Sequence, residues 1–136
     1  MSAHRPHVIR ARDLADPKGL YAPANHSGTA NRRIISHDTV GAQHMEVLIG
    51  TIQKGAGAHE HAHPGLEQAG LILEGTGVSE VEGERIEVGP GDWIFIPQGT
   101  FHNFIATSDT PVKVLVIYAP PYGERPGAAV LREAPK

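Results

Sequence analysis

Residues Gly55–Gly75 read GAGAHEHAHPGLEQAGLILEG. His59, His61 and His63 alternate along this stretch. In an extended chain, residues two apart point to the same side, so all three can face one interior. Neutral imidazole is the commonest protein ligand for first-row metals, and neighbouring members of such a row can grip one ion. His59-Glu60-x-x-His63 also spells the H-E-x-x-H signature of zinc proteases, which requires a helix. Gly55, Gly57, Pro64 and Gly65 surround it. A helical glycine costs about 1 kcal/mol and a proline about 3 kcal/mol relative to alanine, so strand and loop are expected here.

Outward from this segment, short apolar runs alternate with turn signals. Gln68–Glu74 reads as a strand, and Met45–Gln53 as another that is apolar on both faces. A strand of that kind lies inside a closed or two-layered structure. Val78–Val81 and Ile86–Val88 flank Glu82-Gly83-Glu84, a hairpin turn. Trp93–Ile96, Phe101–Ala106 and Val112–Tyr118 come next, and Asn31–Ser36 precedes them all. About eight short strands with frequent turns favour a sandwich or barrel. Residues 1–30 read as an extended arm with one helical turn near Ala11–Ala15. Residues 120–136, after Pro120-Pro121, read as a loosely held tail. No repeat or linker divides the chain, so one domain is expected over 1–136, its barrel at about 31–119.

A second segment, Gly91–His102, reads GDWIFIPQGTFH. Its turn residues, Pro97-Gln98-Gly99, deliver His102 to the start of a strand. The two segments together resemble the two motifs of the cupin superfamily. The first motif is Gly, five residues, His-x-His, three or four residues, Glu, six residues, Gly; Gly55, His61, His63, Gln68 and Gly75 keep its spacing. The second is Gly, five residues, Pro-x-Gly, two residues, His, three residues, Asn; Gly91, Pro97, Gly99 and His102 match. The second pattern arises by chance at on the order of one position in 10⁵. Gln68 stands where the family most often has glutamate, and Ala106 where it often has asparagine.

The resemblance implies an all-β double-stranded β-helix, or jelly-roll barrel, that holds one divalent transition metal. Its ligands would be His61, His63, His102 and Gln68, with Glu67 the alternative to Gln68 because strand neighbours face opposite ways. Iron, manganese, nickel, zinc or copper suits such donors. Three imidazoles and a neutral amide leave the full 2+ charge in place, which favours a small anionic ligand. The implied activity is dioxygenation, or Lewis-acid lyase or isomerase chemistry, on a small organic or sugar acid. A non-catalytic sensor or binding module is the alternative, and a homodimer is implied in either case.

His59 reads as an exposed rim residue or as a proton shuttle, the latter a role open also to Tyr118. Tyr21, His26 and Arg32 lie in or just after the arm and are candidate substrate contacts if the arm folds over the barrel mouth. Arg32 would clamp a carboxylate bidentately, against the plainer reading of a solvated arginine. Trp93, Phe95, Phe101 and Phe104 read as core or interface. The 136 residues carry a formal charge of −3, 9 histidines and no cysteine. Disulfides, thiol catalysis and zinc ribbons are excluded. No basic run marks a nucleic-acid partner. No signal peptide or apolar span is legible, so a cytoplasmic location away from membranes is the default expectation.

Overall fold

β3 (Glu46–Ile52) buries every second residue: Glu46, Leu48, Gly50 and Ile52. That is the period an extended chain imposes when one face meets a core. The structure, a computed structural model, describes residues 7–132. Its other strands, numbered in chain order, are β1 (Leu20–Tyr21), β2 (Thr29–Ile35), β4 (His61–Ala62), β5 (Glu67–Glu74), β6 (Gly77–Val81), β7 (Glu84–Val88), β8 (Trp93–Ile96), β9 (His102–Ala106), β10 (Val112–Ala119) and β11 (Val130–Leu131). One antiparallel sheet has the order β1-β2-β3-β10-β5-β8, and the second has the order β11-β4-β9-β6-β7. This is the all-β jelly roll that the motifs implied. Among the described residues, no helix is long and apolar enough to cross a membrane.

Strand register lays the interior out in rows. Glu46, Tyr118, Gln68 and Ile96 form one row across β3, β10, β5 and β8. Leu48, Val116, Gly70 and Ile94 form the next, and Gly50, Val114 and Ile72 the one after. Leu48, Leu66, Val116, Tyr118 and Tyr122 make one buried cluster. Ile52, Ala56, Ile72, Ala106 and Val112 make the other.

Turn chemistry sets the joints. Val81 pairs with Glu84, so Glu82 and Gly83 form the hairpin loop, with φ of 52° and 79°. Two positive φ values mark a type I′ turn, whose twist matches that of the flanking strands. The Pro97–Thr100 turn closes through a Thr100 N–H to Pro97 carbonyl bond of 3.2 Å, and the Gly99 N–H donates to the His63 carbonyl at 3.0 Å. The second histidine segment is thereby tied to the first.

Several expectations need correction. The strands number eleven among the described residues, because β1, β4 and β11 are two-residue pairings with no periodicity to betray them. The arm is less separate than expected: β2 starts at Thr29, and β1 joins its edge by pairing Leu20 with Arg32. The 3₁₀ turn at Ala11–Ala15 is present. The tail is not loosely held over its described part. Tyr122 is buried in the core and β11 pairs with β4. Arm residues 1–6 and tail residues 133–136 lie outside the described residues. Trp93 and Phe95 are not core in this chain; on edge strand β8 they are 64% and 58% exposed.

Candidate metal centre

β4 and β9 bring the two histidine segments face to face. His61 and His102 are direct cross-strand partners, with ring centroids 4.3 Å apart. His63 comes just after β4, 4.8 Å from the His61 ring and 5.3 Å from that of His102. One ligand atom from each of these three buried residues lies within 4.8 Å of the others. A single ion can therefore be shared by all three.

Each ring is oriented by a main-chain carbonyl. His61 Nδ1 donates to the His59 carbonyl at 2.6 Å, His63 Nδ1 to that of Ala128 at 2.9 Å, and His102 Nδ1 to that of Thr100 at 2.9 Å. A carbonyl only accepts, so each Nδ1 carries the proton and each Nε2 keeps its lone pair. This is the outer-shell arrangement that readies a histidine for a metal. Burial favours the same state. It pushes His61 down to about 3, aided by His102, and His102 down to about 4; it lowers His63 as well. At neutral pH all three rings are uncharged, the state a metal ligand needs.

The structure places Gln68 on the cavity wall and leaves Glu67 exposed. Gln68 Oε1, His63 Nε2 and His102 Nε2 are buried and have no hydrogen-bond partner. Orphaned buried polar atoms are uncommon and costly; those of the clustered His63 and His102 fit a cation held between the histidines, and Gln68 lines the adjoining cavity. The donor set of imidazoles and one amide oxygen suits a divalent transition metal.

The other candidates divide. His26 and Tyr118 line the cavity beside the cluster. The His26 ring stands 5.6 Å from His61, and its Nδ1 meets the Ala24 carbonyl at 2.7 Å. Tyr118 is buried, 5.5 Å from the His63 ring, and that burial raises its hydroxyl pKa. The structure does not bring His59, Arg32 or Tyr21 to the cluster. The His59 side chain is at the rim, because the strict alternation begins only at β4. Arg32 faces away from the barrel, where its guanidinium donates to the Asp16 carbonyl. Tyr21 packs under the Arg33 guanidinium, 4.3 Å from its ring centroid. Sequence reasoning missed Ala128 and Tyr122, whose ring lies 4.5 Å from that of His63. A carbonyl contact across 65 residues leaves no local signal. It also missed Asn31, Ser79 and Asn103, polar residues lining the cavity.

The cavity measures about 90 Å³. Leu48, Ile52, Ile94, Val114 and Val116 wall it, and among the described residues no lysine, arginine, aspartate or glutamate lines it. Residues 48–118, more than half of the chain, match the family model of the cupin domain. The chain is a cupin. An uncharacterised protein of Methanocaldococcus jannaschii is 39% identical to this cupin over 62 residues, 46% of this chain and 50% of its own. Acireductone dioxygenase of Rhodopseudomonas palustris is 39% identical over 59 residues, 40% of this chain and 35% of its own. This cupin thus spans about half the length of the first of these curated relatives and about a third of the second. The solved polyketide cyclase RemF of Streptomyces resistomycificus superposes with a TM-score of 0.64 at 26% identity, over 71% of this chain and 68% of its own. A dioxygenase and a cyclase on one fold leave the reaction to be argued from the site.

Proposed function

We propose that this cupin is a metal-dependent enzyme acting on a small organic acid that chelates through oxygen as a carboxylate or enolate. The observation carrying this reading is the convergence of the buried rings of His61, His63 and His102, with Nε2 of His63 and His102 unpartnered and Gln68, its Oε1 also buried and unpartnered, lining the cavity beside them. When bound, a divalent ion supplies a Lewis acid and, if it is redox-active, a route to dioxygen chemistry. Dioxygenation and lyase or isomerase chemistry both fall within this reading.

The chain's own residues account for binding and orientation. His61, His63, His102 and Gln68 would hold the ion without neutralising it, so an anion supplies the missing charge. Among the described residues, no cationic side chain lines the cavity to compete for that anion. The apolar walls lower the local dielectric, which strengthens the electrostatic interactions inside. Burial keeps the Tyr118 hydroxyl protonated, so it serves as a donor to the ligand. His26 stands at the cluster with its Nδ1 held by Ala24. About 90 Å³ is less than the roughly 150 Å³ of an engineered cavity that takes benzene, which favours a compact ligand.

Metal-loaded protein should bind 2-oxo and 2-hydroxy acids at least tenfold more tightly than the corresponding amides, measured by calorimetry. Gln68→Glu should narrow that preference by adding a negative charge at the ion. Equal binding of acids and amides, or no metal after purification without chelators, would sink the reading. Oxygen uptake with the Fe(II) form then separates dioxygenation from lyase or isomerase chemistry.

A further inference from the structure

Glu46 is 2% exposed, yet it lies outside the ligand set. It shares the interior row of Tyr118 and Gln68, two strands and about 10 Å from the latter. A buried carboxylate is costly unless fully paired. Its Oε1 accepts from Arg33 Nε at 2.6 Å. Its Oε2 accepts from the main-chain N–H groups of Tyr122 at 3.0 Å and Gly123 at 2.7 Å. The carboxylate thus seats the chain where it leaves β10.

Beyond that seat, the chain becomes a strap that touches the metal site. The Tyr122 ring packs against His63. The Ala128 carbonyl accepts from His63 Nδ1. Val130 and Leu131 pair with Ala62 and His61. Arg132 ion-pairs with Glu60 and lies over the Phe101 ring, 4.3 Å from its centroid. A two-residue pairing is too short to hold itself, so β11 depends on its anchors.

We propose that Glu46 is a positioning residue for the metal centre, acting through residues 122–132 to hold His63 in its Nδ1-protonated tautomer and to back His61. This rests on the metal-centre reading, but the latch itself is testable without metal. Replacing Glu46 by Gln removes the charge and one of the two acceptor oxygens. Outer-shell changes of this kind typically weaken metal affinity about 10- to 100-fold.

The experiment compares wild type, Glu46→Gln and a control, Lys54→Ala, which breaks an exposed ion pair with Asp109. Zn(II) affinity is read by competition with a chromophoric chelator. Imidazole ¹⁵N NMR of the metal-free proteins reads the His63 tautomer. Glu46→Gln should bind Zn(II) at least tenfold more weakly and lose the single-tautomer His63 signal, while Lys54→Ala matches wild type. A folded Glu46→Gln with wild-type affinity and tautomer overturns the latch, even if its melting temperature falls. Wild type that takes up no Zn(II) refutes the metal-centre reading, while the NMR comparison still decides the latch. Should Glu46→Gln not fold, amide exchange of wild type decides: Zn(II) must slow exchange at Tyr122 and Gly123, because coupling between two sites is reciprocal. Unchanged exchange there refutes the proposal.

Discussion

Each site histidine pairs one committed nitrogen with one free nitrogen. The Nδ1 atoms are spent on carbonyls of His59, Ala128 and Thr100, and burial holds the rings neutral. Neutral burial makes the metal-free protein sensitive to acid. The ordinary histidine pKa is 6.5, whereas folding lowers His61 to about 3 and His102 to about 4. The unfolded chain therefore binds more protons than the folded chain between those values. Stability is at its full value above about pH 6.5 and is lost as pH falls towards 4 and below. Thermal melts of chelator-treated protein should show the melting temperature dropping over that window. His102→Phe, which cannot take up a proton, should flatten the drop; an equal slope in that variant would count against the assignment.

β5 carries both the candidate ligand Gln68 and the space beside it. Gln68 and Gly70 share its inner face, and Gly70 sits in the apolar row with Leu48, Val116 and Ile94. A Cβ at Gly70 would meet nothing closer than Val114 Cγ2 at 3.6 Å, so the glycine is there for room rather than for backbone conformation. Gly70→Val should fold and take up metal as wild type does, but its γ-carbons intrude on a cavity of only about 90 Å³. The expected result is a loss of at least tenfold in affinity for a chelating acid, with unchanged metal content by elemental analysis. Retained ligand affinity would mean that the acid does not extend along β5. β4 and β11 show the opposite economy. They have two residues each, yet they fix His61 opposite His102 and hang the strap on the site.

At the scale of the whole chain, two sheets share one interior while the outer face of the larger sheet stays open. Trp93 and Phe95 stand on edge strand β8, beside Leu71 and Ala69 of β5. An exposed apolar edge of this kind calls for a cover, and a second copy of the chain is our expectation. Light scattering should give a dimer that Trp93→Glu with Phe95→Glu converts to a folded monomer; a monomeric wild type would refute this. The strand pattern and the candidate metal-holding histidines His61, His63 and His102 were legible because both obey short-range rules. Side chains alternate along a strand, and turn residues punctuate it at fixed spacing. Long-range pairing decided the rest. No local pattern could tell that Gln68 faces in while Glu67 faces out, that Arg32 turns away from the barrel, or that His59 lends its carbonyl rather than its ring. Nor could it show residues 122–132 returning to Glu46 and His63. Those contacts join positions 65 to 77 residues apart, which meet only once the sheets have closed.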